Sequence, residues 1–191
     1  PIVDKATCID CGLCEKVCPH LTEGIERDPK VVYAAKHSNE DIRLQSSSGG
    51  VFTLLAEKII NDGGVVFGVR FDDKWEVEFA YSETIDGLSA FRGSKYVQAR
   101  VGNAFIDAER FLKDDRKVLF SGTPCQIKGL LQYLRKDYEN LMTVDFVCHG
   151  VPSPKVWRLY LKEEVKRFAH QGDAGKNTVL SSKVMPNIKG I

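Results

Sequence analysis

Four cysteines lie close together near the start of the chain, at Cys8, Cys11, Cys14 and Cys18. Two, two and three residues separate them, and Pro19 follows the last one. Thiolates are soft ligands that bind zinc, iron and iron–sulfur clusters. Four thiolates at this spacing can wrap one cubane cluster, and Gly12 permits a tight turn between two of them. The run therefore predicts a metal centre and electron transfer.

The spacing also decides between the metals that such ligands hold. Zinc sites usually divide four ligands between two separated pairs. A single run that ends in Cys-Pro is instead typical of bacterial ferredoxins and their 4Fe–4S clusters. In two-cluster ferredoxins the fourth cysteine binds the other cluster. Residues 1–4 resemble the bridge from a preceding motif, so we expect a longer protein in which Cys18 serves a second cluster.

Charge and hydropathy restrict the partners and the location. The 27 Lys and Arg residues nearly balance the 26 Asp and Glu residues, which gives no electrostatic reason to expect nucleic acid as a partner. No apolar run approaches the ~20 residues that span a bilayer, and no signal peptide is visible. Cysteines at metal-site spacing favour a reducing compartment. We therefore expect a cytoplasmic protein without a transmembrane segment.

Composition and apolar periodicity change along the chain, and these changes divide it into segments. A ferredoxin-like iron–sulfur segment at 1–28, incomplete by this interpretation, is followed by a polar linker at 29–48. An α/β domain follows at 49–170, and the tail at 171–191 has no clear periodicity. Apolar spacing predicts helices at 51–61, 101–113, 126–134 and 154–168, and strands at 65–71, 77–81, 117–120 and 141–147. This alternation predicts an α/β fold with a mostly parallel sheet.

Two glycine-containing segments are candidate ligand loops. Ser48, Gly49 and Gly50 directly precede a predicted helix, where backbone N–H groups can bind an anion. The same pattern is also compatible with a plain helix N-cap. The second segment, Gly93-Ser94-Lys95-Tyr96, adds a cation and an aromatic ring, and it is equally compatible with an ordinary surface turn.

Two further cysteines stand at the ends of predicted strands. Cys125 follows Gly122 and Thr123 where a strand gives way to a helix, and Cys148 precedes His149 after the next strand. Open α/β sheets bind cofactors at this carboxyl edge, so Gly122 and Thr123 are candidate cofactor contacts. The two thiols could be metal ligands, a flavin-facing pair or a redox disulfide, or else inert buried side chains.

The segments SSSGGVFTLLAEKIINDGGVVFGV, FRGSKYVQ, VLFSGTPCQIKGLL and VDFVCHGVPSP resemble the family of beta subunits of coenzyme F420 hydrogenases and dehydrogenases. Together with the cysteine run, these ordered motifs are most similar to the bacterial members that carry a ferredoxin segment in front. The resemblance covers about residues 8–168.

This resemblance implies a flavoprotein subunit with FAD, 4Fe–4S clusters and a redox partner protein. It implies that the loops at 48–50 and 93–96 lie around the flavin. It also implies that Cys125 and Cys148 bind a cluster near the flavin, completed by a downstream Cys-x-x-Cys pair. That pair is absent from this chain, which leaves the activity of this segment by itself open. No catalytic residue is indicated.

The leading hypothesis is an iron–sulfur flavin oxidoreductase that passes electrons between 4Fe–4S clusters and FAD, with hydride exchange to coenzyme F420 or another organic acceptor. The alternative is a non-catalytic iron–sulfur module that delivers electrons to a partner enzyme. A zinc-stabilised interaction domain is a third possibility. Flavin content separates the first two hypotheses, and metal analysis identifies the third.

We expect the full-length protein, reconstituted without oxygen, to show broad visible absorbance that bleaches with dithionite, because thiolate-bound iron is reducible. Replacing Cys11 with Ser should remove most of the iron of one cluster. Iron content by metal analysis is the measurement. Stoichiometric zinc in the wild type, with iron absent, would contradict the cluster assignment.

Overall fold

The computed structural model describes residues 3–18, 21 and 29–170. Its helices are α1 (Leu13–Lys16), α2 (Glu40–Leu44), α3 (Val51–Asn61), a 3₁₀ helix (Asp86–Phe91), α4 (Ala104–Lys113), α5 (Pro124–Leu134) and α6 (Pro154–His170). Its strands are β1 (Val65–Phe71), β2 (Val77–Ser82), β3 (Val118–Gly122) and β4 (Leu141–Asp145). The predicted tail at 171–191 and parts of the 1–28 segment lie outside the described residues.

The four strands form one sheet in the order β2-β1-β3-β4. Strands β1 and β2 make an antiparallel hairpin, whereas β3 pairs in parallel with β1 on one side and with β4 on the other. The predicted α/β fold with a mostly parallel sheet is therefore confirmed. Its parallel part requires crossover helices, which α4 and α5 provide.

Strand β3 joins two apolar layers. Val118, Leu119 and Phe120 are fully buried, and successive side chains of a strand point to opposite faces. Phe120 packs with residues of α4 and α5, and Leu119 packs with α3 and the 3₁₀ helix on the other face. Helices thus cover both faces of the sheet. The carboxyl ends of β3 and β4 lie side by side, because these strands pair in parallel.

Helix α3 has the bounds that the sequence predicts, and its ends explain why. It begins after Gly50, whose φ is +76°, and it ends before Gly63, whose φ is +77°. The N–H of Gly64 donates to the carbonyl of Ile59 at 2.8 Å, which closes the last turn. A Cβ on Gly64 would lie 2.6 Å from the carbonyl oxygen of Lys117, so the passage from α3 to β1 requires glycine there.

Helix α6 is attached to the tip of the β1–β2 hairpin. The Trp157 indole Nε1 donates to the carbonyl of Trp75 at 2.6 Å, and Phe71 stacks on Trp157 with ring centroids 5.8 Å apart. Arg158 binds both carboxylate oxygens of Glu76. Trp75 has a φ of +62°, an unfavourable conformation for a bulky residue, and these contacts hold it there.

Several predicted boundaries need correction. The linker at 29–48 contains α2, because Asn39 caps it by accepting from the N–H groups of Asp41 and Ile42. Helix α4 starts at Ala104 and not at 101, and β4 ends at Asp145 and not at 147. The 3₁₀ helix was not predicted, since six residues carry too little periodicity to be recognised. Among the described residues, no helix combines the length and apolar character that a membrane span needs.

The central position of Phe120 generates a stability prediction. We expect Phe120→Ala to lower the free energy of unfolding by about 3–5 kcal/mol, because it leaves a cavity between stacked rings. Urea denaturation measures the change. Ile106→Ala is the control, since that side chain is 56% exposed and its loss should change stability by no more than about 0.5 kcal/mol. Equal effects of the two substitutions would show that β3 is not the centre of the core.

Candidate functional site

The cysteine run is built so that its backbone turns between the thiols. Asp10 and Gly12 have φ values of 51° and 66°, and α1 begins directly after Gly12. The Asp10 N–H points at the Cys8 sulfur over 3.4 Å. Amide groups directed at cysteine sulfur stabilise thiolates bound to iron.

The donor set of this run fits a 4Fe–4S cluster. None of the four cysteines is in a disulfide, and Cys8, Cys11 and Cys14 are exposed while Cys18 is partly exposed. Within the described part of the chain, no three His, Cys, Asp or Glu side chains already converge on a metal-binding geometry. Metal binding by thiolates is commonly coupled to local folding, so this finding is compatible with the cluster assignment.

The two predicted glycine loops contact each other. Ser94 donates to the Ser47 hydroxyl oxygen through its backbone N–H at 2.7 Å, and the two hydroxyl oxygens lie 2.9 Å apart. Arg92 adds two bonds, to Gln45 at 3.0 Å and to Thr53 of α3 at 3.3 Å. The structure thus joins the segments around 48–50 and 93–96 into one surface.

The glycine pair of the first loop is required by neighbouring backbone. Residues 35–37, which we call the strap, pass directly over the turn, and the His37 N–H donates to the Gly49 carbonyl at 2.6 Å. A Cβ on Gly49 would lie 2.8 Å from the carbonyl oxygen of Ala35, and one on Gly50 would lie 3.0 Å from the His37 Cβ. The glycines therefore serve chain packing, a role that the sequence did not reveal.

The second loop contains a cation, Lys95, that makes hydrogen bonds to the backbone. The Lys95 ammonium donates to the carbonyls of Ala90 and Arg92 at 3.0 and 2.9 Å, at the end of the 3₁₀ helix. Gly93 has a φ of +78°, which favours glycine. A Cβ at this position would meet no neighbouring atom, so the backbone conformation and not a lack of space accounts for the residue type. Tyr96 is 54% exposed and presents its ring to solvent.

A cavity of about 440 Å³ lies between this second loop and the hairpin tip. Its walls combine aromatic rings with charge, from Phe71, Trp75, Arg70, Arg92, Lys95, Asp72 and Asp73. Burial raises the pKa of Asp72, but N–H bonds from Glu76 and Lys74 and the nearby Arg100 outweigh it, so that its pKa lies below the usual value. Rings flanked by guanidinium and ammonium groups suit a planar ligand with an anionic group, whereas Asp72 and Asp73 disfavour negative charge on their side of the cavity.

The carboxyl ends of β3 and β4 adjoin, because Gly122 pairs with Asp145 in register. Gly122 is buried, and the N–H of Thr123 donates to the Gln126 side chain at 2.9 Å, which fixes the start of α5. Cys125 lies in the first turn of α5, with its sulfur 3.1 Å from the Thr123 hydroxyl. The partial positive charge of a helix start favours an anionic ligand there.

Cys148 has a local geometry like that of Cys8. The Gly150 N–H points at its sulfur over 3.4 Å, and Gly150 has a φ of +99°. Cys125 and Cys148 are both outside disulfides and exposed, so the burial that the alternative of inert core thiols requires is not observed. Neither is among the described residues that line the 440 Å³ cavity, and their role as ligands beside the glycine loops stays a prediction.

Comparison with known protein families gives three matches along the chain. Residues 32–105 match the N-terminal model of the coenzyme F420 hydrogenase/dehydrogenase beta subunit, and residues 115–171 match the C-terminal model of the same protein. The chain belongs to this family. Residues 1–24 match a 4Fe–4S binding domain, which agrees with the cysteine run.

Individual relatives agree with the family assignment. A subunit of the F(420)H(2) dehydrogenase of Methanosarcina mazei is 27% identical over 121 residues, which cover 62% of this chain and 34% of that protein. The fold resembles a chain of the F420-reducing NiFe hydrogenase complex from Methanosarcina barkeri, with a TM-score of 0.55 and 16% identity over 74% of this chain and 54% of that one. The family member described here thus spans about a third of the curated relative.

Sequence reasoning missed most of the residues that join the two loops. Ser47 belongs to the serine–glycine stretch that precedes the predicted helix, whereas Arg92 stands beside the second loop, and its guanidinium group was a usable signal. Gln45 and Thr53 gave none, since their role depends on a contact with Arg92 across more than 35 positions. His37 likewise has an ordinary sequence context.

The strap generates a prediction about Gly49. Gly49→Ala should lower the free energy of unfolding by about 1–3 kcal/mol, because the new methyl group meets a backbone oxygen that cannot move alone. Gly129→Ala on α5 is the control, since its Cβ would make ordinary contact with Phe105 at 3.6 Å. That substitution should stabilise by about 0.5–1 kcal/mol through helix propensity. Equal unfolding midpoints for the two variants would contradict the close passage of the strap.

Proposed function

We propose that this chain is part of an iron–sulfur flavin oxidoreductase subunit that passes electrons between 4Fe–4S clusters and FAD. Residues 1–28 would hold the cluster ligands, and residues 49–170 would hold the flavin. The organic partner in hydride exchange is coenzyme F420, after which the family is named, or another acceptor. A redox partner protein or subunit would exchange electrons with the clusters.

The observation that carries the proposal is the joining of two ligand-type loops beside a cavity whose walls combine aromatic rings with three cations and two aspartates. Ser47 and Ser94 hold the loops together, while Trp75 and Lys95 both line the cavity. Such a cavity fits an isoalloxazine ring, which is planar and becomes anionic when reduced. When bound, a flavin accepts one or two electrons and so connects one-electron clusters with hydride chemistry.

Side chains and backbone of this chain would position the isoalloxazine ring. Lys95 supplies a compact positive charge whose position is set by two carbonyls, and it favours negative charge in the cavity. Trp75 and Phe71 both line the cavity and form a tilted aromatic pair, with ring centroids 5.5 Å apart. Ser48, Gly49, Gly50 and Tyr96 are proposed as further contacts on the loop surface.

At the carboxyl edge of the sheet, Cys125 and Cys148 are proposed as ligands of a second cluster. Both thiols are exposed at the ends of adjacent parallel strands, and each has a polar neighbour at its sulfur. Gly122 and Thr123 would line the same edge as cofactor contacts. A cluster here needs further ligands, since two thiolates do not complete a cubane.

Lys95→Ala tests the flavin assignment. We expect it to raise the FAD dissociation constant of the full-length protein by about tenfold or more, because an ammonium–anion contact is lost. Flavin fluorescence in a titration measures binding, and iron content should not change. Lys74→Ala is the control for net charge, since this exposed lysine does not line the cavity.

The wild type itself decides between the two hypotheses about function. If the full-length protein assembles clusters yet binds no FAD under any reconstitution, the oxidoreductase proposal fails. The non-catalytic electron-transfer module would then replace it. A flavin band that bleaches together with the cluster absorbance supports the oxidoreductase.

A further inference from the structure

His37 is the one buried side chain in the linker stretch 29–40, where all its neighbours are exposed. It is 6% exposed and lies against the turn that contains Gly49 and Gly50. Burying an imidazole is unfavourable unless both ring nitrogens have partners. An apolar residue would fill the same space without that cost, so the polar ring indicates a specific positional role.

Both ring nitrogens of His37 have such partners. The Asn39 N–H donates to Nδ1 at 3.0 Å, so Nδ1 carries no proton and the ring proton sits on Nε2. Nε2 faces the Glu57 carboxylate of α3 at 3.5 Å. These bonds fix the ring in one orientation between the strap and α3.

The backbone of the same residue holds the turn. The His37 N–H donates to the Gly49 carbonyl at 2.6 Å, and the His37 Cβ closes the space beside Gly50. Ser47, two residues before Gly49, then binds Ser94 of the second loop. A displacement of His37 would therefore move this turn, and with it the contact between Ser47 and Ser94 at the proposed flavin surface.

We propose that His37, oriented by Glu57, is a positioning residue that fixes the loop at 46–50 and through it the flavin surface. The second half of this proposal rests on the proposed function, whereas the first half concerns the loop alone. His37 touches the loop and not the cavity, so its effect on flavin is indirect. His37 also attaches the linker between the iron–sulfur segment and the α/β domain to α3 and to the turn at Gly49.

The experiment compares four variants of the full-length protein. His37→Ala removes both ring contacts, His37→Asn keeps an acceptor for the Asn39 N–H, and Glu57→Gln keeps an acceptor oxygen for Nε2. Lys36→Ala is the matched control, because it changes an exposed side chain of the same strap. Amide hydrogen exchange over residues 46–52 reports on the loop, and an FAD titration reports on the surface.

We expect His37→Ala to accelerate exchange at 46–52 by about tenfold and to raise the FAD dissociation constant by a similar factor. Glu57→Gln should remain close to wild type, His37→Asn should be intermediate, and Lys36→Ala should change neither quantity. Exchange in β3 should not change, because the effect is local. Rescue by the conservative variants separates positioning from general destabilisation.

Unchanged exchange at 46–52 in His37→Ala would overturn the positioning role. If His37→Ala does not fold, His37→Asn and a fifth variant, Glu57→Ala, decide, because each removes one ring contact, while the backbone bond from residue 37 to Gly49 is available in every variant. If the wild type binds no FAD, the proposed function fails, and the exchange measurement still decides whether His37 fixes the loop. Faster exchange with unchanged FAD affinity would overturn the link to the flavin surface.

Discussion

The parallel pairing of β3 with both of its neighbours is the constraint on which this structure depends. Its fully buried Val118, Leu119 and Phe120 send side chains to opposite faces, so that helices must cover both. The pairing also joins the two segments of the chain that match the family models. Strands β1 and β2 lie in the N-terminal match, and β3 and β4 lie in the C-terminal one. Because parallel strands end at a common edge, both isolated cysteines follow strands at one side of the sheet.

The loop surface depends on a different kind of interaction, which is close contact between backbone segments. The strap lies so near Gly49 that a methyl group has no room, and the turn then presents Ser47 to Ser94 across 47 positions of the chain. Hydroxyl and amide bonds of this kind are individually modest, at about 1 kcal/mol each. Their value here is geometric, because together with Arg92 they hold two loops in one arrangement.

The loop surface and the cysteine run differ in how far hydrogen bonds hold them in place. Hydrogen bonds between side chains and backbone join the two loops, whereas the cysteine thiols are exposed or partly exposed. Cys8 and Cys148 nonetheless share one local interaction. In both, the backbone N–H of the second residue after the cysteine points at its sulfur over 3.4 Å. Such a bond lowers the energy of a thiolate and tunes the potential of a cluster that it holds.

The sequence by itself determined the cysteine run, the α/β class, the bounds of α3 and the motifs that identify the family, because spacing, periodicity and glycine at helix ends are local properties. It did not determine that β1 and β2 form an antiparallel hairpin, that α2 lies within the linker, or that His37 is buried. Nor could it show that Arg92 reaches Gln45 and Thr53. Helix α2 has only five residues, too few for periodicity to reveal it, and the direction of β2 is decided by its pairing with β1. The burial of His37 and the bonds of Arg92 depend on residues far apart in the chain, which only the packing of the whole domain brings within hydrogen-bonding distance.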